Sequence, residues 1–422
     1  LSQEATPLAA AFEDSIQFDG VDLPAMLKAG EPWWITFYWS QLTEESEEYI
    51  LSLRLEDGQG RLWAQDDGLL WHEYLDQQWP AGTMLRKDYE KFFPSGLPPG
   101  EYSVWLRVLD SEQHPVSDSD GRVDHFLGDT MIESGTDLSH MPPHTAQHAS
   151  LGEVDFLGFN LPPDDIRPGH GIPFELFWRA RQTPKQDYQV RTRLIDPSGQ
   201  IVGESTNMPT RADYPMSQWQ SGELLQSKFQ MLMPGNIEIV PHEVEVALIS
   251  PADGEAVAAV TLSSQLTADP WPLVTDLPSD LIPLNVELGQ PPSIALRGYE
   301  LPLGGISPGG SLNFTLYWQA IMDVPEGYYV FIHLIDEEGT IVAQKDGAPG
   351  QGFRPTMSWR EGEVVEDIYA IPIPPELAPG TYRLWTGMYH PGTGERPPVV
   401  IDGQMTQENR ALIQEIQVQK AE

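Results

Sequence analysis

A strand-like segment that ends in tryptophan occurs three times in this chain and divides it into similar units. The copies end at Trp39, Trp178 and Trp318, which lie 139 and 140 residues apart. Apolar residues alternate with others before each tryptophan, as in Leu316 and Trp318, and this period of two is that of a β-strand with a buried face. The 422 residues therefore predict three domains, and we expect the three tryptophans in their cores.

Turn signals recur in the same order around each copy. A glycine precedes each tryptophan strand, at Gly20, Gly158 and Gly298. In units one and three a Leu-x-Pro-Gly-x-Tyr segment ends at Tyr102 and Tyr382, which predicts a tyrosine corner whose hydroxyl bonds to upstream backbone. Short strands, frequent turns and no long helical period indicate an all-β chain of three tandem immunoglobulin-like antiparallel β-sandwich domains joined by Pro-rich linkers.

The same signals give provisional boundaries for the domains. The predicted order is an N-terminal arm, three β-sandwich domains and two linkers, with the arm at 1–14, the domains at 15–130, 153–266 and 293–422, and the linkers at 131–152 and 267–292. The second linker carries apolar residues, among them Trp271, between its prolines. We expect it to pack on a neighbouring domain or on another chain, because proline-dense spacers are semi-rigid and this one is too apolar to stand free in water.

Charge and cysteine content narrow the classes of function. Lys and Arg number 24 against 63 Asp and Glu, a formal charge of −39, which disfavours binding to nucleic acid or to anionic lipid. With no cysteine, disulfides, thiolate metal sites and cysteine catalysis are excluded. No apolar run approaches the ~20 residues of a membrane span. We expect an extracellular or cell-surface prokaryotic protein without a membrane span in this chain.

Four tryptophans are candidate contacts for a ligand or partner. Trp79, Trp219 and Trp359 each precede a glycine by three residues. We expect them near loops and partly exposed, where aromatic rings stack on sugars or anchor a protein partner. The alternative is that each plugs the open end of its sandwich. Trp271 in the second linker is the fourth candidate.

Two segments resemble metal sites without matching them. His140, His144 and His148 have the spacing of one helix face, but Pro142-Pro143 argues against a helix there. Asp118-Ser-Asp-Gly121 and Asp124 resemble a calcium loop, yet the loop's first and twelfth positions would be Val116 and Leu127. We therefore predict no cofactor, and leave open weak Ca²⁺ binding on so acidic a surface.

Signatures of catalysis are nearly absent, and we expect that the chain is not an enzyme. Gly305-Ile-Ser-Pro-Gly309 matches the Gly-x-Ser-x-Gly pattern, but that motif needs a helix directly after the serine. Pro308-Gly309 instead predicts a turn that leads into the tryptophan strand.

Unit three carries the sequence resemblance most fully. Gly298 to Ala320, Leu334-Ile-Asp-Glu-Glu-Gly339 and Pro379-Gly-Thr-Tyr382 resemble tandem β-sandwich modules from extracytoplasmic parts of envelope proteins of Chloroflexota-type bacteria. The resemblance implies an outward-facing module and brings no catalytic residue. The repeated array, the semi-rigid spacers, the apolar arm and the apolar second linker favour a non-catalytic structural or interaction protein, such as a subunit of a surface layer, a filament or an envelope complex, with other envelope or like subunits as partners. The alternative is a set of carbohydrate-binding accessory modules with polysaccharide as the ligand.

Overall fold

The computed structural model describes most of the chain as β-strands joined by turns. The described residues are 6–43, 49–69, 80–92, 96–140, 142–162, 166–301, 306–324 and 326–419. The helices within them are three single 3₁₀ turns, at Met216–Gln218, Gly350–Gly352 and Thr356–Ser358. The all-β prediction is confirmed.

The described strands form six sheets, two from each third of the chain. In the first third they are β1 (Thr6–Phe12), β2 (Ile16–Asp22), β3 (Met26–Lys28), β4 (Pro32–Gln41), β5 (Ile50–Asp57), β6 (Leu62–Leu69), β7 (Met84–Phe92), β8 (Gly100–Leu109) and β9 (Asp124–Glu133). One sheet has the order β1-β2-β4-β7 and the other β3-β9-β8-β5-β6. Pairing is antiparallel except between β3 and β9.

The middle third repeats this arrangement without the counterpart of β3. Its strands are β10 (Thr145–Leu151), β11 (Val154–Asn160), β12 (Gly171–Ala180), β13 (Gln189–Ile195), β14 (Ile201–Asn207), β15 (Leu224–Leu232), β16 (Glu243–Ile249) and β17 (Ala256–Thr261). The two sheets have the orders β10-β11-β12-β15 and β14-β13-β16-β17.

The last third repeats it again and adds a short hairpin. Its strands are β18 (Ile282–Gly289), β19 (Pro292–Glu300), β20 (Ser311–Ala320), β21 (Tyr329–Ile335), β22 (Ile341–Gly347), β23 (Val364–Pro372), β24 (Gly380–Tyr389), β25 (Val399–Ile401), β26 (Gln404–Met405) and β27 (Ala411–Val418). The sheets have the orders β23-β20-β19-β18-β25-β26 and β22-β21-β24-β27. We call the three thirds domains 1, 2 and 3.

The repeated tryptophans lie in the cores, as the alternation predicted. Trp39, Trp178 and Trp318 on β4, β12 and β20 are fully buried. Their indole N–H groups have different surroundings. That of Trp178 donates to Ser227 Oγ over 2.8 Å and that of Trp318 to Asp367 Oδ2 over 3.2 Å, both on the neighbouring strand. The tryptophan therefore defines the core of each sandwich and is not a ligand platform.

The tyrosine corners predicted from units one and three are present. The hydroxyl of Tyr102 donates to the carbonyl of Pro98 over 2.8 Å, and that of Tyr382 donates to the carbonyl of Ala378 over 2.8 Å. Both tyrosines are buried. The hydroxyl fixes the chain where it enters β8 and β24, which positions the second sheet of domains 1 and 3.

The expected arm and linkers contain strands that the sequence did not reveal. Residues Thr6–Phe12 of the arm form β1, and the linkers supply β10 and β18, each of which lies beside the strand that follows it. A Cβ on Gly158 would lie 2.4 Å from the carbonyl oxygen of Thr145, and one on Gly298 would lie 2.5 Å from that of Ile282. These glycines recur because the added strand passes too close for a side chain. Residues 1–5 of the arm lie outside the described residues.

Consecutive domains contact each other through the long loop that precedes Trp219 in domain 2 and Trp359 in domain 3. In domain 2 this loop brings Arg211 within 4.5 Å of the ring of Trp63 in domain 1 and lets it donate to the carbonyl of Leu62 over 2.8 Å. In domain 3 the carbonyl of Phe353 lies 3.0 Å from His170 Nε2 of domain 2. The two joints use the same loop in the same direction along the chain.

Candidate functional site

The loop tryptophans are buried rather than partly exposed. Trp219 is 0% exposed and Trp359 1%. The 3₁₀ turns Met216–Gln218 and Thr356–Ser358 directly precede them, and the indole N–H of Trp359 donates to the carbonyl of Arg354 over 3.0 Å. The expected exposure is therefore wrong for these two. The turn directs the ring into the sandwich, where it is closed off from a sugar or a partner. Trp79 lies outside the described residues.

A buried carboxylate follows each of these tryptophans, and sequence reasoning missed both. Glu223 and Glu363 are each 1% exposed. In domain 2 the hydroxyl of Tyr214 lies 2.9 Å from both oxygens of Glu223, and the backbone N–H of Gln220 donates over 2.7 Å. Burial raises the pKa of Glu223, and these two hydrogen bonds oppose the rise. The available signal was the Gly-Glu pair at 222–223 and 362–363, which unit one replaces with Gly-Thr.

In domain 3 a cation, rather than a hydroxyl group, is the side-chain partner of the buried carboxylate. Arg354 stands where domain 2 has Tyr214, and its guanidinium donates to Glu363 over 2.7 Å. The backbone N–H of Arg360 donates to the other oxygen of Glu363 over 2.9 Å. Burial lowers the pKa of Arg354, and the charge of Glu363 opposes that shift. The carboxylate therefore holds the loop before Trp359 in place.

A third buried carboxylate fastens the other end of this loop. Asp367 on β23 accepts the backbone N–H of Gly350 over 2.8 Å, the hydroxyl of Tyr369 over 2.6 Å and the indole N–H of Trp318. Burial raises the pKa of Asp367, against the effect of these hydrogen bonds. All three acids are 1% exposed and accept hydrogen bonds from the chain's own donors, and Asp367 also lies in the wall of a cavity beside β23.

Trp271 of the second linker contacts both neighbouring domains. The guanidinium of Arg167 from domain 2 lies 4.6 Å from its ring centre and that of Arg354 from domain 3 lies 5.4 Å away. The carbonyl of Trp271 accepts a hydrogen bond from Arg360 over 2.6 Å. Arg167 also pairs with Asp269 over 2.8 Å. Cation–π contacts on both domains fix the linker between them.

Beyond Trp271 the linker borders a groove on domain 3, which we call the linker groove. The groove has a volume of about 610 Å³, and its apolar lining includes Trp271, Val274, Pro278, Tyr317, Phe353 and Ile368. A second cavity of about 550 Å³ adjoins it and shares Gln351 and Ile368 with it. Three apolar side chains here are exposed to water: Phe353 by 62%, Ile368 by 53% and Val274 by 50%.

Charged residues border the linker groove and its neighbouring cavity. Asp276 and Glu366 belong to the first cavity and Lys345 and Asp346 to the second. The guanidinium of Arg354 is already paired with Glu363. The border is therefore acidic on balance, with an exposed apolar floor, which is the composition of a protein contact more than of a small-molecule site.

The segments that resembled metal sites are organised in other ways. His148 lies on the extended strand β10, so the helical spacing with His140 and His144 does not bring the rings together. Asp118 Oδ1 accepts two backbone N–H groups at the tip of its turn, and Asp124 pairs with Arg107 over 2.8 Å. Across the described residues, no group of three or more His, Cys, Asp or Glu side chains is arranged to hold a metal ion.

The Gly-x-Ser-x-Gly segment forms a turn, as its proline predicted. The N–H of Gly310 donates to the carbonyl of Ser307 over 3.1 Å, and β20 follows directly. Gly305 lies outside the described residues. The helix that a nucleophilic serine requires at this point is replaced by a strand.

Comparison with known proteins adds no identification. No protein-family model and no curated protein matches this chain. Within the described ranges, the structure contains no helix with the length and hydrophobicity needed to cross a lipid bilayer.

Proposed function

We propose that this chain is a non-catalytic structural or interaction protein that acts outside a prokaryotic cell, as a subunit of a surface layer, filament or envelope complex, and that it contacts a protein partner at the linker groove. The observation that carries the proposal is the group of exposed apolar side chains at Phe353, Ile368 and Val274, which line the same groove as the half-buried Trp271. Contiguous exposed apolar surface with a polar border is typical of a protein contact.

Two further features support a structural role. The joints between domains use guanidinium, indole and backbone contacts on both sides, so consecutive domains hold each other in place. The carboxylates of Glu223, Glu363 and Asp367 accept hydrogen bonds from their own domains, whereas a catalytic carboxylate needs a free oxygen toward its substrate. The extracellular setting rests on the resemblance to envelope modules and on the large negative charge.

The test is site-specific photo-crosslinking in cells that make the protein. A photoreactive amino acid replaces Phe353, and the same amino acid replaces Val257, an exposed residue on β17, as the matched control. We expect a defined protein adduct from position 353 and none from position 257. Equal labelling from both positions, or no protein adduct at 353, would remove the proposal.

One exposed tryptophan favours the alternative function, in which the chain binds carbohydrate. Trp34 on β4 is 59% exposed. On the neighbouring strand, Asp88 accepts a hydrogen bond from Thr36 over 2.6 Å and another from Arg86. An indole beside fixed polar groups is suited to stack on a neutral sugar ring. This alternative predicts that the chain is retained on an insoluble neutral polysaccharide and that Trp34→Ala abolishes retention; equal retention of the variant would count against it.

A further inference from the structure

Beyond its first residue the outer edge of β23 has no partner strand among the described residues, and the Gly350–Gly352 turn lies beside it, fastened to Asp367. β23 is the outermost strand of its sheet and pairs with β20 alone. Just before β23, the carbonyl of Glu363 accepts the N–H of Ala320 on β20 over 2.9 Å. The backbone N–H of the next residue, Val364, therefore points away from β20, and it donates to the carbonyl of Val274 over 2.6 Å. Antiparallel pairing alternates along the strand. The backbone groups of Glu366, Ile368 and Ala370 therefore face outward like those of Val364.

The linker occupies the first position on this edge and then leaves it. After Val274 the chain continues past Asp276 and Pro278 to β18, which lies on the opposite side of the sheet. No backbone hydrogen bond joins the outward groups of Glu366, Ile368 and Ala370 to another described residue. Unpaired backbone along an edge strand is a template for an additional strand.

The equivalent edges of the other two domains carry charged residues at the central position. Ile368 pairs with Thr315, three residues before the core tryptophan. The residue that pairs with the equivalent position, three before the core tryptophan, is Lys228 on β15 in domain 2 and Asp88 on β7 in domain 1. Charged side chains on an edge strand oppose its pairing with another chain. Domain 3 has an exposed isoleucine there, so of the three equivalent edges this one alone lacks a central charge.

The surroundings indicate the chemistry of the strand that would pair here. The linker groove and its neighbouring cavity lie on either side of Gln351 along the edge, and apolar side chains at alternate positions of an added strand can fill them. Asp276, Glu366 and Asp346 outweigh Lys345 around them. The whole chain carries −39, which opposes association with a second copy of itself and favours a basic partner.

We propose that β23 accepts an extended, net basic segment of another protein as an additional antiparallel or parallel strand, with apolar residues at alternate positions. The inference rests on the proposed function, since it names the partner of the same groove. It differs in mechanism, because backbone pairing at Glu366, Ile368 and Ala370 supplies the affinity and the two cavities supply the specificity.

The probe is a synthetic nine-residue peptide in which valine and threonine alternate and lysine stands at both ends. Binding is measured by titration calorimetry on the full chain, and the location by hydrogen exchange. We expect slower exchange at Glu366, Ile368 and Ala370. Ile368→Lys, which copies domain 2, should weaken binding about tenfold or more, because it removes an apolar contact and adds a like charge. Val257→Lys on β17 is the matched control and should bind as the unchanged chain does.

Several results would overturn the inference. One is that Ile368→Lys, with its unfolding transition unchanged, binds the peptide as tightly as the unchanged chain does. Others are that the peptide slows hydrogen exchange at a different strand, or that a peptide with glutamate at both ends binds equally well. The last is that no binding is detected at millimolar peptide. Sedimentation that shows a dimer lost in Ile368→Lys would assign the edge to a second copy and contradict the basic partner. A protein adduct at position 353 without peptide binding at β23 would refute this inference alone, whereas peptide binding without any adduct would refute the proposed function alone.

Discussion

The pairing of Arg354 with Glu363 gives a prediction about the stability of domain 3. Arg354→Met removes the guanidinium that donates to Glu363 over 2.7 Å. Glu363 is 1% exposed and the side chain of Arg354 is 18% exposed, so the pair is well shielded from water. Methionine keeps an unbranched stem beside Trp271, so the substitution mainly removes the charge.

The expected loss follows from what Glu363 retains. Removing one partner of a buried ion pair costs about 3–5 kcal/mol, because the other charge stays buried and unpaired. Glu363 keeps the backbone N–H of Arg360 at 2.9 Å and the Arg360 guanidinium at 3.7 Å. We therefore expect the lower end of that range, about 3 kcal/mol. Arg354→Tyr restores the donor that domain 2 uses at Tyr214, and should lose only about 1–2 kcal/mol, since a hydrogen bond to a charged group recovers part of the cost.

The assay is native-state hydrogen exchange, which gives the free energy of local opening for individual strands. Amides of β20 and β23 report on domain 3, and amides of β12 and β15 are the internal control. We expect the loss in domain 3 and no change in domain 2. A loss below about 1 kcal/mol in Arg354→Met, or equal losses in the Met and Tyr variants, would refute the view that a buried unpaired charge dominates.

Three further predictions concern single positions. Tyr382→Phe removes the corner hydroxyl and should lower the unfolding free energy of domain 3 by about 1 kcal/mol in urea titrations, and an unchanged midpoint would contradict this. Burial raises the pKa of Glu223, so the stability that Glu223 contributes to domain 2 is fully present below its unfolded pKa and is lost as pH rises through its folded pKa. Glu223→Gln should therefore make the free energy of opening of domain 2, measured by hydrogen exchange, fall less steeply with rising pH. An unchanged dependence on pH would contradict this. Gly235→Ala would place a Cβ 1.5 Å from the carbonyl oxygen of Met357 and should separate domains 2 and 3. Limited proteolysis at the second linker should then be faster. Gly58→Ala is the control, because its Cβ would meet no atom within 4 Å, and it should be cleaved as slowly as the unchanged chain.

Local sequence signals predicted the features that depend on neighbours along the chain. The alternation before Trp39 gives the buried face of β4, and the Pro-Gly-x-Tyr pattern at Tyr102 gives the corner, because both depend on residues within a few positions. Burial on the opposite face of the tryptophan strand was not predictable from this alternation. Phe177 alternates with Trp178 and should face water, yet it is buried against Leu157 and Leu224, with Leu138 packed on it from the preceding segment.

The strand β10 in the supposed first linker was missed for a related reason. β10 is Thr-Ala-Gln-His-Ala-Ser-Leu, with small and polar residues that form no apolar period. It is held at the sheet edge by backbone pairing with β11. Trp219 was expected near the surface because a glycine follows it, but the preceding 3₁₀ turn decides where the ring points. The linker groove joins Trp271 to Phe353 and Ile368, which are too distant in sequence for any local pattern to relate them.

The strands supplied by the linkers determine how this chain can be divided into fragments. A fragment cut at the apparent repeat boundary near residue 293 would lose β18, which normally covers the edge of β19 and passes within 2.5 Å of the place a Cβ would occupy on Gly298. The backbone of β19 would then lack a partner along one edge, and fragments with such an edge tend to precipitate or exchange strands with one another. Cuts that keep residues 267–292 with domain 3, and 134–152 with domain 2, leave every sheet with its own outer strand.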